Sequence, residues 1–154
     1  MSRNYYQFAY VTNDFDRAMK EIGAIHGVTD YMIMRDADFA TSATSSAVCH
    51  FALAYKNGVQ YEIIQPLSGD DHVYRQILPD SGYATLFHHI GQHFDTRAQF
   101  DEALAAAKSK WPVPIGYETM GGVYAYADAR KDTGHHIELF HFPPGSHLDA
   151  VPHN

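Results

Sequence analysis

Tyr61-Glu62-Ile63-Ile64-Gln65-Pro66-Leu67 is a strand-like run that sets one carboxylate among large apolar side chains. Ile137-Glu138-Leu139-Phe140 repeats the pattern near the other end of the chain. A buried carboxylate needs a partner, because removing its charge from water is costly. The segments upstream correspond as well. Gln7-Phe8-Ala9-Tyr10-Val11 answers His89-Ile90-Gly91-Gln92-His93. The offsets are similar (89 − 7 = 82; 138 − 62 = 76) and differ as loops of unequal length between two copies allow.

Working outward, each half reads as β-α-β-β-β. The first strand signal is Tyr5 to Thr12, and Asn13 and Asp14 then offer helix N-cap oxygens. Phe15, Ala18, Met19, Ile22 and Ile25 follow at helical spacing, and Gly27 ends the helix. Tyr31 to Arg35 is a short strand, and Asp36 to Ser46 is small and polar enough for a loop. Val48 to Tyr55 and Val59 to Pro66 form a hairpin through Asn57-Gly58, a type I′ signal. A connector follows, with a short helix over His72 to Leu78 broken by Pro79 to Gly82. In the second half, Leu86 to Phe94 is a strand, Thr96 and Gln99 form a capping box, and Phe100, Ala103, Leu104 and Ala107 make a helical stripe. Val113 to Thr119, Val123 to Ala127 and His135 to Phe142 complete the set, with Gly121-Gly122 as a turn. The expectation is one domain over residues 1–154. Module one spans about 5–67, a connector 68–84, module two 85–143, and a loosely packed tail 144–154.

The bulk composition narrows the function. Lys+Arg 11 against Asp+Glu 18 gives a formal charge of -7, with no basic run, so a nucleic-acid partner is not expected. No apolar stretch approaches the roughly 20 residues of a membrane span, and the first residues lack a signal-peptide core. Cys49 is the single cysteine, which excludes an internal disulfide. A cytoplasmic protein is expected. The 11 histidines are dispersed rather than clustered as a tag.

Strand side chains alternate, so parity assigns faces. With Gln7 facing the cleft, Tyr5, Ala9 and Val11 join it, while Tyr6, Phe8 and Tyr10 face the helices. Glu62 shares its face with Gln60 and Ile64. His89 shares its face with Phe87, Gly91 and His93, and His88 points away. Glu138 shares its face with His136, Phe140 and Phe142, and His135 points away. Gln7, Glu62, His89 and Glu138 thus form a candidate metal set, one on the first and one on the last strand of each half. Two carboxylates, an imidazole and an amide oxygen suit Zn, Ni, Co, Mn or Fe, and four protein ligands leave positions open for chemistry. The blander alternative pairs Glu62 with Arg35 or Arg75, or turns it to solvent; recurrence of the acids in both halves favours the metal. His93 and His136 are candidates for positions behind the ligands or against substrate. With a two-residue turn at Asn57-Gly58, Leu53 pairs with Glu62, His50 lies on the opposite face and Cys49 faces the cleft as a structural thiol.

These residues carry a resemblance to the vicinal oxygen chelate superfamily of glyoxalase I, methylmalonyl-CoA epimerase, extradiol dioxygenases and antibiotic-resistance proteins. It runs from Gln7 to about Phe142. The segments that carry it are Gln7 to Val11 before Asn13-Asp14-Phe15-Asp16, Tyr61 to Leu67, His88-His89-Ile90, and Gly134 to Leu139. The resemblance implies an α+β fold in which two tandem βαβββ modules form an open eight-stranded cup with helices outside. It places the metal ligands on Gln7, Glu62, His89 and Glu138. The order Gln, Glu, His, Glu is similar to the glyoxalase I set, and Pro66-Leu67 after Glu62 is similar to the epimerase branch. Gln7 stands where ring-cleaving dioxygenases carry a histidine, and resistance proteins generally lack the metal residues. Both count against those two alternatives, a non-haem iron dioxygenase and a metal-free small-molecule binder. The implied activity is that of a lyase, isomerase or epimerase on a small substrate with vicinal oxygens, through a metal-stabilised enediolate. Glu138 would be the catalytic base, and Glu62 a ligand and possible catalytic partner. A homodimer is implied too. The cleft residues Ala9, Val11, Ile64, Phe87, Phe140 and Phe142 suit an acyl or aromatic compound. None of Arg3, Arg17, Arg35, Arg75, Arg97 or Lys131 is nominated as an anchor by spacing.

Overall fold

The computed structural model describes residues 6–154. Tyr5 and Arg3 of the sequence reading lie outside the described residues. Eight strands form one mixed sheet in the order β2-β3-β4-β1-β5-β8-β7-β6. They are β1 (Tyr6–Thr12), β2 (Met32–Ala40), β3 (Ser46–Lys56), β4 (Val59–Gly69), β5 (Thr85–His93), β6 (Ile115–Thr119), β7 (Gly122–Ala127) and β8 (His136–His141). The helices are α1 (Phe15–His26), α2 (His72–Arg75), α3 (Arg97–Lys108) and α4 (Arg130–Thr133). β1 runs parallel to β4, β5 runs parallel to β8, and β1 and β5 meet antiparallel at the centre. The two halves are therefore related by an approximate twofold axis between β1 and β5. The sheet curls until its edges approach. The Ala40 N–H donates to Thr119 Oγ1 at 3.3 Å, and the Tyr124 hydroxyl donates to the Ala40 carbonyl at 2.8 Å. The cup is almost a barrel.

Local chemistry accounts for the elements. Asp14 caps α1 by accepting from the Arg17 N–H, and Gly27 ends it at φ 70°, a left-handed conformation that a residue without Cβ adopts cheaply. Thr96 and Gln99 make the reciprocal capping box of α3. Asn57 (φ 53°) and Gly58 (φ 78°) form the two-residue turn, so Lys56 pairs with Val59 and Leu53 with Glu62. α1 packs Phe15, Ala18 and Ile22 on Ala52 and Ile63. α3 packs Phe100 and Ala107 on Val123, Ala125 and Leu139. The inner face of the cup is filled by a larger cluster that includes Phe39, Phe51, Ile64, Tyr124, Phe140 and Phe142. No helix among the described residues is long and apolar enough to cross a membrane.

Four sequence expectations are corrected. Residues 36–46 are not a loop throughout. β2 continues to Ala40 across an irregularity between Met34 and Ala37, where Asp36 takes φ 51° and its N–H donates to His50 Nδ1 at 3.0 Å. That polar, small-residue run hid a strand end that buries Phe39. β4 likewise runs past Pro66 to Gly69, because the pairing shifts register beside Pro66 and needs less from its missing N–H. β5 bulges between its pairings at Ala9–His89 and Tyr10–Phe87. His88 therefore turns inward with His89 and is buried, whereas Phe87 leaves the cleft. The Phe87 ring packs outside, against Phe8, Tyr10 and His135. Finally, the tail is not loose. Leu148 and Val151 enter the inner core, the Tyr55 N–H donates to the Pro152 carbonyl, and the Asn154 amide oxygen accepts from the Thr29 and Asp30 N–H groups. A residue pattern too short to show periodicity gave no sign of this docking.

Leu148 sits in a short 3-10 turn (His147–Ala150) and is 9% exposed. Leu148→Ala should cost about 2–3 kcal/mol in urea or guanidinium unfolding, the lower part of the range for buried leucines. A loss within about 0.5 kcal/mol, as for surface substitutions, would contradict the docked tail.

Candidate metal centre

The sheet register brings the four sequence-nominated ligands onto two adjacent rungs of one face. One rung reads Glu62–Ala9–His89–His136 across β4, β1, β5 and β8. The next reads Gln60–Gln7–Gly91–Glu138. Ala9 and Gly91 are twofold counterparts, each between two ligands. A Cβ on Gly91 would lie 2.7 Å from Gln7 Oε1 and 3.0 Å from the Phe140 ring, so only glycine leaves that amide in place.

The other three side chains converge on His89 Nε2. Gln7 Oε1 is 3.0 Å away, Glu138 Oε2 3.2 Å and Glu62 Oε2 3.4 Å. The ligand atoms of Glu62, His89 and Glu138 all lie within 4.8 Å of one another. Ligand bonds of about 2.0–2.2 Å at right or tetrahedral angles put neighbouring donor atoms roughly 3.0–3.4 Å apart, so the spacing matches a shared cation. All four residues are buried. Gln7 Nε2 donates to Gln60 Oε1 at 2.7 Å, which turns the Gln7 oxygen toward His89. Glu62 Oε2 is buried and, beyond its 3.4 Å contact with His89 Nε2, has no hydrogen-bond partner among the described residues.

Electrostatics point the same way. Arg35 pairs with Asp16, and Arg75 with Asp71, so neither arginine neutralises Glu62. Burial pulls the His89 imidazole down, but its bonds to Glu138 and Glu62 outweigh this and lift it to about 9. Burial raises the Glu62 carboxyl, opposed by its bond to His89 and reinforced by the charge on Glu138. Two carboxylates facing one imidazolium leave negative charge in a dry site, which a divalent cation would balance.

Other sequence candidates fall around this centre. His136 is buried, stacks on His88 with ring centroids 4.6 Å apart, and has an Nε2 without a partner. Burial pulls it down to about 4. His93 lies farther along β5, with Nε2 3.2 Å from the Phe142 carbonyl and its ring against Phe140. His50 packs on Phe15 outside the cup, and Cys49 is buried inside, its thiol pushed up to about 12 chiefly by burial.

Sequence reasoning missed Tyr74, Tyr126 and the inward turn of His88. The Tyr74 and Tyr126 hydroxyls lie 2.9 Å apart, and burial, with the nearby Glu138 charge, holds both well above their usual value. One hydroxyl donates to the other, so the pair keeps one O–H for a ligand. Parity along β7 could have found Tyr126, which pairs with Glu138. Nothing in the sequence marks Tyr74, which reaches the site from α2. Gln7, Glu62, Glu138 and the two tyrosines line the polar end of a cavity of about 70 Å³. Its walls include Phe39, Phe51, Leu53, Tyr124, Phe140 and Phe142, and the tail adds His147 and Leu148. No lysine or arginine is among the described residues that line it.

A family model described as Glyoxalase/Bleomycin resistance protein/Dioxygenase superfamily matches residues 6–131. No curated protein matches the sequence. Among solved structures, the chain is similar to methylmalonyl-CoA epimerase from Mycobacterium tuberculosis, with 13% identity, a TM-score of 0.56, and coverage of 94% of this chain and 90% of that one. It is also similar to a Streptomyces coelicolor methylmalonyl-CoA epimerase variant in complex with 2-nitronate-propionyl-CoA, with 12% identity, a TM-score of 0.57, and coverage of 92% and 96%. At these identities the likeness establishes the fold.

In metal-free protein the charge on His89 makes stability pH-dependent. Its pKa is about 9 folded against 6.5 as a free group, so its contribution is complete below pH 6.5 and is lost as pH rises through 9. The urea midpoint should fall across that window, and fall less in His89→Gln. An equal fall in both proteins would show that His89 carries no such charge.

Proposed function

Because the chain belongs to the glyoxalase, bleomycin-resistance and dioxygenase superfamily, we propose that it is a divalent-metal enzyme of the lyase, isomerase or epimerase kind. Its substrate would be a small, uncharged compound with neighbouring oxygens. The observation that carries this reading is the convergence of Gln7, Glu62 and Glu138 on His89 Nε2 inside a buried cavity. Bound there by these four residues, a Zn, Ni, Co, Mn or Fe ion would supply Lewis acidity to a carbonyl and its neighbouring oxygen.

The chain's own groups account for the remainder. Glu138 stands at the junction of the ligand cluster and the cavity, where its carboxylate can take a proton from the carbon beside the carbonyl and return it. Glu62, on the opposite side of the twofold, would hold the ion and could receive a proton on the other face. The free O–H of the Tyr74–Tyr126 pair can donate to a substrate oxygen as charge develops there. The aromatic walls exclude water and strengthen these interactions. The lack of lysine and arginine in the described lining favours an uncharged acyl or aromatic substrate over one bearing carboxylate or phosphate. A single imidazole among the ligands, with Gln7 in place of a second, disfavours ring-cleaving oxygenase chemistry. The exposed side chains of Tyr6 and Phe87 on the outer face offer a surface for pairing two copies, and a homodimer is part of the proposal.

Protein prepared without chelator should hold about one divalent ion per chain by elemental analysis. Glu62→Ala and Glu138→Ala should lose it, and light scattering should give the mass of a dimer. On hydroxy-ketones and related carbonyl compounds in deuterated water, Glu138→Gln should lower solvent deuterium exchange at the carbon beside the carbonyl by about 100-fold or more, within the range for loss of a general base. A protein that takes up none of these ions, or a Glu138→Gln variant with full exchange, would overturn the assignment.

A further inference from the structure

Two histidines in sequence normally face opposite sides of a strand. Here the β5 bulge turns both His88 and His89 inward. Their Nδ1 atoms lie 2.8 Å apart, and the other ring nitrogen of His88, Nε2, lies 2.7 Å from the Val73 carbonyl in α2. The His88 ring is held between the parallel ring of His136 and the rings of Tyr74 and Tyr126.

We propose that His88 is a positioning residue that fixes His89 as an Nδ1–H imidazole and so keeps its Nε2 lone pair for the metal. This inference rests on the metal-site reading above. The logic follows from donor and acceptor counts. A carbonyl cannot donate, so His88 Nε2 must carry a hydrogen to bond Val73. A neutral His88 then has only a lone pair at Nδ1, and His89 Nδ1 must supply the hydrogen between them. A neutral His89 with its hydrogen on Nδ1 presents an unprotonated Nε2 to Gln7, Glu62 and Glu138. The reverse arrangement, with His88 donating through Nδ1, would place the hydrogen of a neutral His89 on Nε2 and block the ligand position. The Val73 carbonyl therefore sets the tautomer of a metal ligand through one intervening ring. The same chain ties α2, which also carries Tyr74, to the centre. Support of this kind behind a ligating histidine is commonly worth about 10- to 100-fold in metal affinity.

The test uses zinc titration and long-range proton–nitrogen NMR of the whole protein. In zinc-loaded wild type, His88 should be protonated at Nε2 alone, and His89 at Nδ1 with Nε2 on the metal. His88→Phe keeps a ring of similar size but accepts nothing, and should bind zinc about 10- to 100-fold more weakly. His88→Gln can accept at Oε1 and donate at Nε2, and should recover most of that loss. Near-ultraviolet circular dichroism of the metal-free variants separates an altered ligand from a lost fold. If His88→Phe does not fold, the wild-type nitrogen pattern decides alone. Wild-type affinity in His88→Phe, or a His89 bound through Nδ1, would overturn the proposal while leaving the metal site standing. Wild type that takes up no zinc would remove the metal site and this inference with it.

Discussion

Two glutamates face one histidine on the buried floor of the cup, and this concentration of charge constrains everything around it. Glu62 and Glu138 lie within 3.4 Å of His89 Nε2, and no arginine or lysine among the described residues is paired with either. In a dry interior such a group is retained only against a counter-charge or at a cost to stability. Aromatic side chains wall the cavity, two tyrosine hydroxyls lie at its polar end, and Arg35 and Arg75 are engaged with Asp16 and Asp71.

The duplicated architecture produces the site economically. Each half supplies a central strand and the parallel strand beside it, and the antiparallel contact of β1 with β5 places the halves face to face. Ala9 and Gly91 occupy equivalent points in this contact, each between two of the candidate ligands. The halves have diverged where the sequence diverges. Gln60 bonds the Gln7 amide, whereas its counterpart His136 stacks on His88. The bulge in β5 brings in a second histidine at a position where β1 has no equivalent residue.

Much of this was legible in the sequence because the strands obey simple alternation. Glu62 and Glu138 sit in apolar runs whose period is unmistakable, and the Asn57-Gly58 turn fixed the register that separates Leu53 from His50. Parity broke down where the backbone did. The extra residue at His88 reversed the faces of His88 and Phe87, and a bulge of one residue has no signature in residue type. Tyr74 and the tail escaped for another reason. α2 is one turn long, and residues 144–154 dock through isolated apolar side chains and backbone bonds, so neither carries a periodic pattern. Long-range docking of such segments depends on the shape of the cup rather than on local preference.

The tail also borders the cavity. Phe142, His147 and Leu148 lie beside the cavity, and the chain then crosses to Tyr55 and Thr29 in the other half. The tail thus links the cavity wall in one half to the hairpin and helix end of the other. X-ray absorption on the metal-loaded protein tests the central claim most directly, because it counts the scatterers around the ion. The account predicts one imidazole per ion, with oxygen donors making up the remainder. Two or more imidazoles, or a sulfur donor, would show that the ion lies elsewhere and that Gln7, Glu62, His89 and Glu138 do not form its site.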